Sequence, residues 1–465
     1  MTHAPDGQSL PQRYWAIATI ALGITMSVLD SAIANVALPT IARDLHTNAA
    51  FSIWVVNGYQ LAITISLLPL AAFGDIIGYR RIYLGGLALF TFASLACALS
   101  HTLTLLALAR VLQGFGAAGI MSVNTALIRF IYPQNQLGRG IGINAVVVAI
   151  SAAAGPTIAS GILSVANWPW LFAVNVPIGI VAFTIGARAL PKTPSAAHGF
   201  DFAGAALSAC AFGFLIAGID AGGHGEAGAF VGAELLLALA CGYFLVRRES
   251  ARPAPLFPVD LLGIPMFALS VGTSVCSFAA QMLALVALPF HLQQEFGYSA
   301  VETGLLITPW PLAIAIAAPV AGRLSDRYPA GLLGGTGLIV FAAGLVSLAF
   351  LPQRPDFAEV AWRMAVCGLG FGFFQSPNNR AMIASAPRHR SGGASGMLGT
   401  ARLLGQTIGA ALVAMLFGQV GRHATDYALF IAAGFATIAA AVSSLRLFHK
   451  SPAPEDRPTA PVDPG

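Results

Sequence analysis

Asp30 is the residue in this sequence with the most chemistry to offer, because it sits inside the apolar run Met26-Ser27-Val28-Leu29-Asp30-Ser31-Ala32-Ile33-Ala34. An ionised carboxylate in mid-membrane costs about 2.5–3.5 kcal/mol on insertion scales, so residues of this kind face an internal cavity and do work. The work open to Asp30 is proton binding, since a carboxylate whose surroundings alternate between two conformations can load and unload a proton. A structural ion pair with Arg110 or Arg402 is the alternative. Arg110 lies inside another apolar run and cannot shed its charge, so it must meet a carboxylate, backbone carbonyls or cavity water. Arg363 and Arg402 are embedded in the same way, and they read as cavity or carbonyl-bonded cations because no second mid-run acid is found in the C-terminal half. Asp75 closes an apolar run at its C-terminal end, where the helix dipole disfavours an anion by a few tenths to about 1 kcal/mol unless it is paired. Arg80, Arg81 or a neighbouring helix N-terminus is its expected partner, and breaking that contact would make Asp75 a conformational latch. Asp326 with Arg327 is a second, weaker copy of that arrangement. Asp220 and Glu234 lie at the ends of apolar runs and are expected to snorkel.

Other chemistries find no residues. None of the nine His falls in mid-run, and no H-E-x-x-H, nucleophile elbow or Walker loop occurs, which argues against an enzyme, a metal site and an ATP-driven pump. The five Cys, all within apolar runs, show no C-x-x-C spacing. The net charge of +5 comes from basic residues scattered singly or in pairs, so nucleic acid is not an expected partner.

The elements that must hold these residues follow from composition. Of 465 residues 57% are apolar and 9% charged, against about 25% charged in a soluble domain. A chain so rich in Phe, Leu, Ile and Val needs an apolar solvent, and the expectation is an all-α membrane protein with fourteen transmembrane helices. The candidate spans lie near 14–36, 51–72, 82–100, 103–128, 139–163, 170–190, 202–220, 229–246, 266–290, 303–321, 331–351, 360–384, 393–418 and 426–446. The first is too long for a removable signal peptide. With the N-terminus placed inside, Lys and Arg gather in the cytoplasmic loops and only Arg43, Arg354 and Arg422 fall outside. That asymmetry predicts a multi-pass protein of the cytoplasmic membrane with both termini cytoplasmic.

Gly114-x-Gly116 with Ser122 and Asn124 recurs 254 residues later as Gly368-x-Gly370 with Ser376 and Asn378. Asp75 recurs 251 residues later as Asp326. Two pseudo-symmetric six-helix bundles with a helix pair inserted between them produce such offsets. The expected divisions are 1–190 for the first bundle, 191–264 for the Pro-broken linkers and inserted pair, 265–450 for the second bundle, and 451–465 for a disordered tail.

These residues resemble the major facilitator superfamily, and within it the fourteen-helix drug:proton antiporters. Leu29-Asp30-Ser31-Ala32-Ile33-Ala34-Asn35-Val36-Ala37-Leu38-Pro39 is similar to that family's L-D-x-T-I-V-N-V-A-L-P signature, with Ala32 where Thr is usual. Asp75, Gly78, Arg80 and Arg81 match the loop motif G-x-L-A-D-R-x-G-R-K, with Ala71 and Ile76 at two other positions. Arg110-Val111-Leu112-Gln113-Gly114-Phe115-Gly116 matches R-x-x-Q-G-x-G in full. Gly155-Pro156 begins the G-P-x-x-G-G motif, with Ala159-Ser160 in place of the paired Gly. Trp170 to Gly179 and Phe290 to Pro309 resemble further stretches of the fourteen-helix group.

The resemblance implies rocker-switch alternating access, driven by the proton gradient with no cofactor. It ties Arg110 to proton coupling beside Asp30, and Asp75, Arg80, Arg81, Asp326 and Arg327 to gating. Gly155 and Pro156 are placed to bend a helix. A substrate cavity of aromatic and amide residues, Asn35, Trp54, Tyr59, Asn124, Gln281, Trp310, Gln375 and Asn378, with one acid beside them, suits flat lipophilic cations. The expected activity is proton-coupled efflux of lipophilic, cationic small molecules by a monomer in contact with small-molecule substrate, protons and membrane lipid. Export or import of one endogenous metabolite, or a non-transporting membrane sensor, are the alternatives.

Overall fold

The computed structural model describes residues 7–133, 136–193, 200–223, 228–250, 252, 257–352, 355–387 and 390–448; Arg354 and the 451–465 tail lie outside them. Among the described residues fourteen helices are long and apolar enough to cross a membrane, and there is no strand. They are α1 (Leu10–Asp44), α2 (Ala49–Ile77), α3 (Tyr79–Ala98), α4 (Leu103–Ile131), α5 (Arg139–Val165), α6 (Pro169–Ala189) and α7 (Phe202–Gly222). The series continues with α8 (Gly228–Ser250), α9 (Pro265–Glu295), α10 (Ala300–Leu324), α11 (Ala330–Ala349), α12 (Phe357–Ser385), α13 (Gly393–Gln419) and α14 (Ala424–Phe448). Helices are the answer such a sequence must give, because a backbone N–H or C=O left unpaired in hydrocarbon costs several kcal/mol. Leu95, Leu99, Leu105 and Leu108 point outward and exposed, which only an apolar solvent tolerates.

Each helix falls on one of the apolar runs, and the largest difference is at α1. It continues through Pro39 to Asp44, eight residues beyond the run, because Ala37, Leu38 and Ile41 there are buried against other helices. α9 likewise ends in an extra π-helical turn, His291–Glu295, whose Gln293 is buried.

The sequence repeat returns as repeated packing. α4 lies against α2 and α3, and α12 against α10 and α11. A Cβ at Gly114 would overlap the Tyr59 carbonyl of α2, and one at Gly368 the Trp310 carbonyl of α10. A Cβ at Gly116 would overlap the Phe90 amide, and one at Gly370 the Phe341 amide. Small residues thus bring the same helix pairs together in both halves, the usual means of close packing where lipid offers no hydrophobic drive. Gly405 and Gly409 do the same for α13 on α9.

Helices α7 and α8 pack on each other, and α7 also on α13 and α2. The Trp54 indole donates to Asp220 at 3.2 Å, tying α2 to one end of α7. At the other end Asp201 pairs with Arg248 at 2.9 Å and Arg252 at 2.6 Å.

Hydrogen bonds between the two halves gather at one level. Gln293 Nε2 donates to the Val36 carbonyl at 3.1 Å, Ser160 Oγ to the Val301 carbonyl at 2.8 Å, and the Thr157 and Thr308 hydroxyls lie 2.9 Å apart. Thr64 and Thr407, 3.2 Å apart, join α2 to α13 deeper in. The halves therefore touch near the ends of α1, α5 and α9 and the start of α10, with a cavity beneath.

Candidate functional site

Asp30 is 1% exposed and sits in a closed polar cluster built from five helices. One carboxylate oxygen receives Arg110 Nη1 of α4; the other receives Gln113 Nε2 of α4 and Asn175 Nδ2 of α6, each at 2.9 Å. Arg110, fully buried, also donates from Nε to the Val55 carbonyl of α2 at 2.8 Å and from Nη1 to Gln113 Oε1 at 2.6 Å. Its guanidinium lies 4.1 Å from the Tyr59 ring centroid, a cation–π contact between two buried side chains. Gln113 Nε2 further donates to Ser94 of α3 at 2.9 Å. Three donors from two neighbouring helices thus converge on the carboxylate, one on Oδ2 and two on Oδ1.

Of the two partners considered for Asp30, the structure provides Arg110. Gln113 and Asn175 are further partners that the reading of the sequence does not supply. A mid-run amide one helical turn from Arg110 was the available signal for Gln113; Asn175, distant in sequence, left none.

A cavity of about 790 Å³ lies between the halves. Asn35, Tyr59, Gln281, Trp310 and Gln375 line it, together with Gln60, Asn379, Gln406 and Arg402. Trp54, Asn124 and Asn378 do not. Trp54 is spent on Asp220, Asn124 donates to Asn144 Oδ1 at 2.9 Å, and Asn378 donates to Ser274 at 2.8 Å while accepting from Arg446 at 2.7 Å. Helix rotation turns these three away from the cavity. Asp30 does not line it either, and no described Asp or Glu does. The charged side chain that does is Arg402, so the carboxylate on which the expectation of a cationic substrate rested is absent from the wall. Tyr59 connects the two places, one face toward the cavity and the ring beneath Arg110, with its hydroxyl donating to the Ser27 carbonyl at 2.9 Å.

The remaining arginines divide as their surroundings dictate. Arg363 donates to the Ser347 and Phe350 carbonyls at 2.8 and 3.1 Å, the carbonyl-bonded case. Arg402 is the cavity case. Asp75 is half-buried and accepts from the Tyr79 hydroxyl, one helical turn on. Its expected partners are engaged elsewhere: Arg80 donates to the Ala187 carbonyl of α6 and Arg81 to the Ile77 carbonyl. The break at Gly78, φ +97°, makes this possible by starting α3 with Tyr79 next to the end of α2. Asp326 pairs with Arg380 of α12 rather than with Arg327, which is exposed. Gly155 lies against the Ala32 methyl, allowing α5 to approach α1, and α5 runs on through Pro156, which lines the cavity. Among the described residues no cluster of His, Cys, Asp and Glu could hold a metal ion.

The family model described as Major Facilitator Superfamily matches residues 20–272 and 269–463. Over 444 residues the chain is 59% identical to the uncharacterized transporter YebQ of Escherichia coli (strain K12), covering 95% of this chain and 97% of that one. It is 31% identical to the riboflavin transporter RibZ of Clostridioides difficile (strain 630), with 88% and 89% covered. It is 33% identical to the multidrug resistance protein Stp of Mycobacterium tuberculosis (strain CDC 1551 / Oshkosh), with 85% and 74% covered. The crystal structure of a bacterial homolog to the human lysosomal transporter Spinster, in an inward-facing and unoccupied conformation, superposes with a TM-score of 0.69 over 97% of this chain and 100% of that one. At 17% identity that likeness is one of fold.

Proposed function

The chain belongs to the major facilitator superfamily and is a multi-pass membrane transporter, and on that premise we propose that it exports lipophilic small molecules in exchange for protons. The observation that carries this reading is the shared wall: Tyr59 and α1 border both the substrate-sized cavity and the buried Asp30–Arg110 cluster. A change of protonation at Asp30 must move groups that touch bound substrate, which is what coupling requires. The polar contacts that join the halves at Val36, Ser160 and Val301 lie on the outer side if both termini are cytoplasmic, so on this reading the protein is closed there and faces the cell interior. Rocking of the halves about the cavity, with Asp75–Tyr79 and Asp326–Arg380 changing partners, would present substrate to the other side. Export of one endogenous metabolite is the second reading, supported by the amide-rich wall and by likeness to a riboflavin transporter.

Purified protein in liposomes with an imposed pH gradient tests the proposal. A panel of lipophilic compounds should move against their gradients only while the proton gradient stands, and reporter fusions after Lys192 and after Arg252 should both read cytoplasmic. Movement indifferent to the pH gradient would refute proton exchange, and an external signal from either fusion would refute the orientation.

A further inference from the structure

We propose that the cavity selects substrates bearing an anionic group, such as a carboxylate, on an apolar body, with Arg402 receiving the charge. This rests on the transporter reading of the cavity and specifies what it carries. The other membrane-embedded arginines each hold protein acceptors, Arg110 that of Asp30, Arg363 two carbonyls and Arg446 those of Asn378 and two serines, although Arg110 Nη2 and Arg363 Nε are also buried without one. Arg402 makes no hydrogen bond or ion pair with any described residue, and its Nε is buried without an acceptor. A guanidinium cannot discard its charge, and a buried one without a partner is costly. Holding one open on a cavity wall leaves a fork of donors for something that is not protein. A second donor agrees with it: the Trp310 indole N–H, 1% exposed on the same wall, also lacks an acceptor. Stacking edge-on against Phe341 at 5.6 Å holds that ring in place.

The rest of the wall fits such a ligand. Phe278, Phe371 and Ile314 would meet an apolar body, and no described carboxylate competes for Arg402. A cationic ligand would meet Arg402 in a medium where like charges repel strongly and would find no counter-charge. Anion and guanidinium form a charge-assisted, two-pronged contact about twice as strong as a neutral hydrogen bond.

Three probes with one aromatic body test this on the purified full chain in detergent: 1-pyrenebutyrate, its neutral amide, and a pyrenyl trimethylammonium. Binding is read as ligand-induced thermal stabilisation, with no gradient present. The carboxylate should bind about tenfold or more tightly than the amide, a difference of about 1.4 kcal/mol, and the ammonium should bind least. Arg402→Gln should abolish the preference by weakening the carboxylate about tenfold or more beyond any loss of the amide, and Arg402→Lys, which keeps the charge and serves where the Gln variant fails to fold, should retain part of it. Ammonium binding equal to that of the carboxylate, or an equal loss of all three probes in Arg402→Gln, would overturn the proposal. Charge preference without pH-driven transport would sink the exporter reading alone, whereas pH-driven transport without charge preference would sink this inference alone.

Discussion

Asp30→Asn strands a charge, and the structure allows the consequence to be sized. Gln113 and Asn175 both donate to one oxygen of Asp30, so an asparagine would keep its carbonyl there and turn its NH₂ toward Arg110 Nη1. Donor would face donor around a guanidinium that is fully buried. Removing one partner of a buried ion pair costs about 3–5 kcal/mol; the contacts of Arg110 with Tyr59 and the Val55 carbonyl survive, which places the expected loss near the lower figure. Adding Arg110→Met removes the stranded charge, so the double variant should regain stability relative to Asp30→Asn, with a coupling energy of about 2 kcal/mol or more between the sites. Denaturant or thermal unfolding of the wild type, both single variants and the double variant in one detergent measures this cycle. Efflux in liposomes accompanies it: both variants lacking Asp30 should bind substrate yet fail to move it when a pH gradient is imposed. Additivity within about 0.5 kcal/mol would refute the pairing, and undiminished pH-driven efflux by Asp30→Asn would refute Asp30 as the proton carrier.

Tyr79→Phe removes the hydroxyl that Asp75 accepts from, so transport should fall several-fold while equilibrium binding of substrate stays within twofold; equal loss of both would make the contact structural rather than a latch. Gly370→Ala should destabilise the protein by about 1–3 kcal/mol through overlap with the Phe341 backbone, whereas Gly85→Ala, with open space around it, should be neutral, and equal melting of the two would contradict the packing. Asp201 lies outside the spans. Burial works to raise its carboxyl, but hydrogen bonds from Arg248 and the Gly204 amide and the charge of Arg252 outweigh burial and hold it below the usual carboxylate range. A depressed folded value means the stabilisation is complete above the unfolded value of about 3.9 and is lost as pH falls through the folded one. With both arginines more than a third exposed, Asp201→Asn should cost at most about 1 kcal/mol at pH 7, and that difference should shrink toward pH 3; a difference growing with acid would reverse the sign of the argument.

The fourteen helices are legible in the sequence because lipid imposes one rule on every residue that faces it, and the rule is strong enough to read without neighbours. Their rotations are less so. Asn35, Tyr59 and Trp310 reach the cavity while Trp54, Asn124 and Asn378 do not, yet all six are polar or aromatic residues in runs that are apolar all round. What separates them is which face packs on a neighbouring helix, and that is set by contacts such as Gly114 against Tyr59, between residues 55 positions apart. The extension of α1 past Pro39 shows the same thing at a helix end. Proline reads as a stop, but burial of Leu38 and Ile41 against other helices holds the backbone helical beyond it.

The repeat also shows where the two halves part company. Carried over at the 254-residue offset of the glycine pairs, Arg110 corresponds to Met364 and Gln113 to Cys367, both fully buried. The backbone contacts around them are retained, Gly368 on Trp310 repeating Gly114 on Tyr59, so the second half keeps the frame and replaces the ion pair with apolar side chains. Its cavity-facing charge instead comes from Arg402, on α13. On the proposed reading, proton and substrate charge are therefore handled in different halves, Asp30 with Arg110 in the first and Arg402 in the second. Two like-sited charges in one half would each feel every change in the other. Separated across the cavity, they communicate only through substrate and through the relative position of the halves, which is the condition under which proton movement can drive alternation without competing for the substrate's own charge.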